Sequence, residues 1–411
     1  MPKGVFSRFI GELDLSRQKA AIFTTKGLRV FAYAFLSIIL PVYLLQLGYP
    51  ILLVGAISSL AIGSAAIYNL FIAKYAASFG RRKMLVLLSL LMAVSGVIFA
   101  LNLGIYSLVV AALIGSISAT GTETGPFLNI EAAMLSGMSS DENRTMAFSA
   151  YNFVGYVALS LGSLFSGLPS ALANSVADMR LLIYVYAGIA VLLAIIYLTM
   201  DASVEARRSL GKPQKLSKES RTKILHLAAL FSLDSFGGGF VIQTILAIYF
   251  YKVWGLQLGS LAIVFFVSGI ITAISIFMAA RIAKRIGLLK TMVFTHAPSS
   301  IFLIAIPFAP SALIAVMLLF LRQSISQMDV PTRQSYTMAI VDEHERIAAG
   351  SLTNTPRTIA QAISPSIASY MLQLSVVQLP FVLGGSFKIL YDALVYIRFR
   401  KVKPPEEAAR R

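Results

Sequence analysis

Apolar segments of about 20 residues follow one another along the whole chain, and each is long enough to cross a bilayer as a helix. Hydrophobic residues make up 57% of the 411 positions and charged residues only 13%, with a mean hydropathy of +0.78. Soluble proteins carry about 25% charged residues, so these charges are too few to cover water-soluble cores. Since lipid satisfies no backbone hydrogen bonds, the sequence predicts an all-α membrane protein.

Twelve transmembrane helices are predicted, because glycine, proline or charged residues separate twelve apolar segments. The segments cover residues 27–48, 51–76, 84–104, 106–133, 147–167, 181–200, 225–252, 257–280, 291–309, 311–336, 347–372 and 379–397. The residues before the first apolar segment carry charges of both signs and include no long apolar run before Ala20. A cleavable signal peptide has a different pattern. We therefore expect the first span to be retained.

The basic residues lie almost entirely in alternate connections. Twenty-eight of the 35 Lys and Arg fall in the termini and in connections after even-numbered spans, whereas Arg180 and Lys252 fall in the others. By the positive-inside rule, this pattern predicts a multi-pass protein of the cell membrane with both termini in the cytoplasm. The net charge of +17 is thus a topology signal, and nucleic acid is not an expected partner because no contiguous basic stripe forms.

The longest internal hydrophilic stretch divides six spans from six. The predicted organisation is a cytoplasmic tail (1–26), a six-helix bundle (27–200), a cytoplasmic linker (201–223), a second six-helix bundle (224–397) and a basic cytoplasmic tail (398–411). The stretches AKYAASFGRRK at 73–83 and ARIAKRIGLLK at 280–290 are similar, and Pro126 has a counterpart in Pro331. Such self-similarity indicates two pseudo-symmetric bundles.

In its two sets of six spans, its basic central linker and its repeated loop, the chain resembles the major facilitator superfamily. The resemblance implies that the whole chain adopts the fold of this family. The family signature G-x-L-A-D-R-x-G-R-K between spans two and three is matched at Ala76, Gly80, Arg81 and Arg82. The second copy matches it at Ala283, Arg285 and Gly287. In the family the Asp helps to latch the cytoplasmic side, but Ala77 and Lys284 stand at that position here.

Candidate gating residues nevertheless remain in these loops. They are Gly80, Arg81, Arg82, Lys83, Arg285 and Gly287. Gly80 suits a tight turn with positive φ. The basic residues after it either bind carboxylates and helix C-termini across the seam between the halves, or face lipid phosphates.

Ten charged residues lie within or at the edges of the predicted spans. The basic ones are Arg29, Arg322, Arg333, Arg357 and Lys388, and the acidic ones are Glu123, Glu131, Asp234, Asp329 and Asp392. A charge at the centre of a bilayer costs about 2.5–3.5 kcal/mol on insertion scales. These side chains must therefore pair or contact water, and they are the default candidates for function.

The tenth span carries a polar stripe. Arg322, Asp329 and Arg333 fall on one face of a helix, with Asp329 and Arg333 in i, i+4 pairing geometry. Pro331 predicts a kink in this helix. The stripe is either part of a solute pathway or a self-neutralising pair that joins the tenth span to the fourth.

The other charges allow similar alternatives. Glu123 is a proton or cation site, or a static partner of Arg322 or Arg357. Asp234 adjoins Gly237–Gly239, which form a flexible gate or a close packing contact. We expect static roles for Glu131 and for an i, i+4 pair of Lys388 with Asp392. None of the histidines, His226, His296 and His344, is expected to cluster with another ligand.

The predicted function is secondary active transport of a small solute by alternating access, coupled to protons. The predicted substrate or proton pathway comprises Arg29, Glu123, Asp234, Arg322, Asp329, Arg333 and Arg357. The absence of cysteine and of a Walker loop argues against thiolate metal sites, cofactors and ATP-driven pumping. We expect no enzyme activity and a monomer whose partners are lipid, solute and protons. A uniporter, a drug-type exporter and a non-transporting sensor of the same fold remain alternatives.

Overall fold

The computed structural model describes residues 16–115, 117–122, 125–139, 141–201, 216–342 and 345–402, and in these ranges the chain is helical with no strand. Most of the predicted N-terminal tail, linker and C-terminal tail lies outside the described residues, as do Glu123 and His344. The prediction of an all-α membrane protein is confirmed. The domain boundaries remain predictions.

Within these ranges twelve helical paths follow one another, and three of them are interrupted. They are α1 (Arg17–Gln46), α2 (Ile51–Phe79), α3 (Arg81–Leu101), α4 (Ile105–Ile114 and Pro126–Gly137), α5 (Asp141–Phe165), α6 (Val176–Leu198), α7 (Lys218–Gly239 and Gln243–Trp254), α8 (Leu258–Ile286), α9 (Leu288–Ala305), α10 (Ala312–Ser326 and Asp329–Ala339), α11 (Arg346–Gln373) and α12 (Leu379–Phe399). Ten stretches in the described ranges are long and apolar enough to cross a membrane. The remaining paths are α4, which is broken, and α11, which is rich in Ser, Thr and Pro.

The predictions of continuous helices over 106–133, 225–252 and 311–336 are wrong. In α4 the second helix begins at Pro126, whose missing N–H has no cost in a first turn. In α10 the break precedes Pro331 instead of kinking the helix at it, because Pro331 falls in the first turn of a new helix that begins at Asp329. In α7 three consecutive glycines, which weaken a helix, end the first segment at Gly239.

The paths form two bundles, α1–α6 and α7–α12. Within the bundles, α3 packs on α6 and α1 on α5, while α7 packs on both α11 and α12. The bundles meet along two seams, α2 with α11 and α5 with α8. We call the ends of the paths next to the basic connections, at residues 17, 79–81, 137–141, 198–218, 286–288, 339–346 and 399, the basic face, and the other ends the opposite face.

The halves are joined near the opposite face. Between described residues, the hydrogen bonds that link the two halves lie in the parts of the paths closer to that face. Thr244 Oγ1 donates to the carbonyl oxygens of Ser37 at 3.1 Å and Ala119 at 2.9 Å, and Ser366 Oγ lies 2.8 Å from Ser59 Oγ. An apolar groove of about 570 Å³ lies between α2 and α11, about halfway along both paths, and Ser59 and Ser366 are among the residues that line it. These hydrogen bonds therefore hold the two halves together near the opposite face.

Gly55 allows α2 to approach α11 closely in this seam. A Cβ at Gly55 would overlap the Ser369 side chain and lie 2.6 Å from the Pro365 carbonyl oxygen, whereas a Cβ at Gly63 would lie 3.8 Å from Ala362. We expect Gly55→Ala to shift the protein towards a state open at the opposite face. Overpacking costs at least about 1 kcal/mol, so a cysteine introduced at buried Ser58 should react with a thiol reagent about fivefold faster.

The natural absence of cysteine gives this labelling experiment a clean background. Gly63→Ala in the same Ser58→Cys protein is the matched control, since its new methyl group meets only ordinary van der Waals contact. Equal labelling rates in the two alanine variants would show that the seam does not control access to the opposite face.

Candidate proton and solute site

The first bundle contains a buried ion pair between α1 and α4. Arg29 and Glu131 are both 0% exposed. The Arg29 guanidinium binds the carboxylate in a bidentate manner, with Nη2 2.6 Å from Oε2 and Nη1 3.1 Å from Oε1. The hydroxyls of Thr25, Tyr197 and Tyr151 donate to the same carboxylate at 2.7, 2.6 and 2.7 Å.

This arrangement satisfies both carboxylate oxygens of Glu131 without any solvent contact. Arg29 also lies over the ring of Phe127, 4.6 Å from its centroid. A charged pair that is bidentate and fully hydrogen-bonded is costly to break. The geometry therefore favours a fixed structural role for Arg29 over a place in a solute pathway.

Asp234 on α7 is the centre of a second buried cluster, in the other bundle. Lys388 Nζ on α12 lies 2.8 Å from Asp234 Oδ1, and Arg333 Nη1 on α10 lies 3.2 Å from Oδ2. The same Arg333 nitrogen lies 2.8 Å from Asp329 Oδ2, so the pair predicted from i, i+4 spacing forms. Arg333 thus joins two acids on two helices.

His296 on α9 extends this cluster, and the expectation that no histidine clusters is wrong. Its Nδ1 lies 3.0 and 2.9 Å from the two carboxylate oxygens of Asp392. Its Nε2 lies 3.5 Å from Asp234 Oδ1 and 3.4 Å from Lys388 Nζ. His296 therefore bridges two carboxylates, and it is the functional candidate that sequence reasoning missed.

The expected i, i+4 pair of Lys388 with Asp392 is not formed. Lys388 reaches α7 through Asp234, and Asp392 reaches α9 through His296. Each of these two residues pairs with a side chain on another helix instead of with its neighbour on α12. Their spacing on α12 was a usable signal that both side chains face the interior of the bundle, but it could not identify their partners.

Two arginines near the cluster have no acidic partner among the described residues. Arg322 Nη1 donates to Gln323 Oε1 at 2.8 Å. Arg357 Nε donates to Ser235 Oγ at 2.9 Å, beside Asp234 in sequence. The expected alternative partner of both, Glu123, lies outside the described residues.

One ligand atom each from Asp234, His296 and Asp329 lies within 4.8 Å of the others, which is close enough to hold a metal ion. Lys388 and Arg333 already contact the Asp234 carboxylate, however, so a divalent cation would meet two positive charges at hydrogen-bond distance. Electrostatic repulsion in a buried site is strong. The donor set fits a proton better than a resident metal.

The candidate gating loops form turns, and the positive φ predicted for Gly80 is found at Gly80 and also at Gly287. Gly80 has φ 96° and Gly287 has φ 94°, so each adopts a conformation that favours glycine. Arg82 Nη1 donates to the carbonyl oxygen of Met200, which follows the C-terminus of α6. Arg82 therefore binds a helix C-terminus within its own half, and this contact does not cross the seam.

The connection between α10 and α11 caps the first helix of α7. The backbone N–H of Ser217, the N-cap residue of that helix, donates to Glu345 Oε1 at 2.5 Å. This hydrogen bond lowers the pKa of the Glu345 carboxyl from 4.5 to about 2. Because the folded-state pKa is depressed, the contact stabilises the protein above pH 4.5 and its contribution is lost as the pH falls towards 2.

We expect Glu345→Gln to lower the thermal unfolding temperature at pH 7. The difference from the wild type should stay constant down to about pH 4.5 and shrink below it. Unfolding temperatures measured across this pH range test the linkage. The control is Glu219→Gln, which alters an exposed residue on the helix that Glu345 caps. A difference that does not change with pH would contradict it.

Comparisons with known proteins agree on one architecture. A family model described as the Major Facilitator Superfamily matches residues 22–327 and 228–411. The chain is 25% identical over 424 residues to the uncharacterized membrane protein YJR124C of Saccharomyces cerevisiae (strain ATCC 204508 / S288c), covering 93% of this chain and 94% of that protein.

Solved structures of transporters share the fold at low sequence identity. The nucleoside transporter NupG is 13% identical with a TM-score of 0.71, over 94% of this chain and 100% of that one. A D-xylose-proton symporter is 14% identical with a TM-score of 0.70, over 92% and 97%. The POT family transporter PepTSo is 12% identical with a TM-score of 0.74, over 94% and 98%.

Proposed function

Because the chain belongs to the major facilitator superfamily, we propose that it moves a small solute by alternating access and couples this movement to protons bound in its second half. Members of this family are transporters and not enzymes. The observation that carries the proton coupling is the cluster of Asp234, His296, Lys388 and Asp392, in which titratable groups on three helices share contacts.

The two protonation states of His296 give this cluster two arrangements. Neutral His296 can donate from Nδ1 to Asp392 and accept from Lys388 at Nε2, which lies 3.4 Å from the Lys388 nitrogen. Protonated His296 carries a hydrogen on both nitrogens. Its Nε2–H then points at Asp234 Oδ1, 3.5 Å away, and competes with Lys388 for that oxygen.

Proton uptake therefore changes which cation neutralises Asp234. Since Asp234 lies on α7 and Lys388 on α12, the exchange weakens one interhelical contact and strengthens another, between α7 and α9. The first helix of α7 ends at Gly239, five residues after Asp234, and the path then resumes at Gln243. Charge rearrangement beside an interrupted helix is a means of coupling proton binding to movement of that helix.

The contacts that join the halves near the opposite face support alternating access. Gly55 lies against α11 there, and Thr244 links the halves through Ser37 and Ala119. We place the basic face in the cytoplasm because of the positive-inside rule, so the joined face is the external one. Rocking of the two bundles about their seams would separate them at this face and expose the site to the outside.

The experiment uses purified protein in proteoliposomes that contain a pH-sensitive dye. A thermal-shift screen of anionic, cationic and neutral metabolites first identifies a solute, since ligands that bind the folded state raise its stability. Adding this solute to proteoliposomes should move protons across the membrane with the wild type. His296→Gln should abolish the proton signal, whereas His226→Gln, which alters an exposed histidine, should retain it.

Solute uptake that is the same with and without a pH gradient, and that moves no protons, would contradict the coupling and favour a uniporter. Proton movement that is retained in His296→Gln would show that a group other than His296 couples protons to solute. The histidine at position 226 controls for general effects of removing an imidazole, because its Nδ1 contacts only the Thr222 carbonyl oxygen, 2.8 Å away on the same helix.

A further inference from the structure

Arg322 holds a buried guanidinium with one free edge. The residue is 8% exposed and lies near the end of the first helix of α10. Nη1 donates to Gln323, but Nε is buried without any hydrogen-bond partner, and no hydrogen bond joins Nη2 to another described residue. Nε and Nη2 form the side of the guanidinium that presents two parallel donors.

The buried charges around Arg322 do not balance among the described residues of the second bundle. The three acids buried within the described helices there have partners already. Asp234 contacts Arg333 and Lys388, Asp329 contacts Arg333, and Asp392 contacts His296. Arg322 and the half-buried Arg357 have no acidic partner in the part of the chain that the structure describes. An arginine removed from water without a counter-charge is costly, and among the described residues of this bundle these two arginines leave an excess of positive charge.

We propose that Arg322 is the anion-recognition residue of the transported solute, and that this solute carries a carboxylate. The proposal rests on the transport function proposed above and names its substrate class. Two parallel N–H donors match the two oxygens of a carboxylate, and such bidentate pairs are among the stronger hydrogen-bonded contacts in proteins. A bound carboxylate would supply both the missing partner of Nε and the missing negative charge.

The surroundings of Arg322 hold its free edge in place. Gln323 Oε1 accepts from Arg322 Nη1 at 2.8 Å and from Ser326 Oγ at 3.2 Å, so the amide oxygen fixes one side of the guanidinium. The α10 helix ends at Ser326 and resumes at Asp329. Arg322 therefore lies on one side of this helix break, and Asp329, which contacts Asp234 through Arg333, lies on the other.

The first test measures binding by thermal shift with purified protein. The probes are succinate, citrate, benzoate and a wider set of carboxylates, each compared with its methyl ester and with inorganic phosphate at equal ionic strength. We expect at least one carboxylate, but not its ester, to raise the unfolding temperature of the wild type. Arg322→Gln should abolish that shift and Arg322→Lys should weaken it by about tenfold in apparent affinity, since lysine lacks the planar fork.

Arg398→Gln, which alters an exposed arginine at the basic face, is the matched control and should keep the full shift. A carboxylate shift that survives in Arg322→Gln would overturn the proposal. It would also be overturned if no carboxylate binds, or if phosphate alone stabilises the protein. None of these outcomes depends on proton movement, so they are distinguishable from a failure of proton coupling.

The second test needs no ligand. If the Arg322 guanidinium gains an anionic partner only when substrate binds, then removing its charge should stabilise the ligand-free protein. Binding sites are commonly built at a cost in stability. We expect Arg322→Met to raise the unfolding temperature by about 2 °C or more. Arg333→Met, which breaks contacts to two acids, should lower it. A lowered unfolding temperature for Arg322→Met would assign Arg322 a structural role and overturn the proposal.

Discussion

Replacing Arg29 with methionine is expected to destabilise the protein by about 3–5 kcal/mol, because the change leaves the Glu131 carboxylate buried without its cation. The hydroxyls of Thr25, Tyr151 and Tyr197 would still donate to that carboxylate, but they cannot neutralise it. The measurement is unfolding of the purified protein in detergent by heat or denaturant.

A double variant, Arg29→Met with Glu131→Leu, provides the decisive comparison. Replacing both members of a buried pair by apolar residues is often neutral, so most of the lost stability should return. Arg398→Met at the exposed basic face should change stability by less than about 0.5 kcal/mol. If Arg29→Met proved as stable as the wild type but failed to transport, the pair would belong to the solute pathway.

The sequence was sufficient for the fold because lipid restricts the possible structures so strongly. Each apolar segment had to form a helix because its backbone hydrogen bonds find no partner in lipid. The uneven distribution of Lys and Arg predicted which connections lie on the same side of the membrane. The interruptions of α4, α7 and α10 were harder to predict. Apolar content hides them, although Gly121 with φ 72° and Pro126 in α4 are the kind of residues that mark such breaks.

Contacts within one helix could be predicted, and contacts between helices could not. The pairing of Asp329 with Arg333 follows from helical spacing alone. The partners of Glu131, His296 and Lys388 lie on other helices. Their identity depends on how each helix is rotated and at what depth it lies, and neither quantity is encoded in the spacing along one segment.

The buried ion pairs of the two bundles occupy equivalent helices of the internal repeat. In the first bundle the arginine is on α1 and its acid is on α4, whereas in the second bundle the acid Asp234 is on α7 and Arg333 is on α10. Equivalent helices thus carry a pair of reversed sign. In the described residues, a histidine and a lysine extend the second pair, which is why we propose the titratable role for the second bundle.

Replacing Asp234 with asparagine is expected to reduce solute accumulation driven by a pH gradient by at least about tenfold. The proposed coupling needs a negative charge at this position, because Lys388 and protonated His296 compete for it. Exchange of solute across the membrane without a gradient should be largely retained, since that process does not require net proton movement. Both rates are measured in the same proteoliposomes, with His226→Gln as the control.

The single change also leaves Lys388 buried without its acid, 2.8 Å from where the carboxylate was. A loss of folding would then imitate a loss of coupling. The double variant Asp234→Asn with Lys388→Met removes both charges, while Arg333 keeps its contact with Asp329. We expect this variant to recover the stability of the fold but not gradient-driven accumulation. Wild-type accumulation in a well-folded double variant would exclude Asp234 from proton coupling and restrict its role to holding α7, α10 and α12 together.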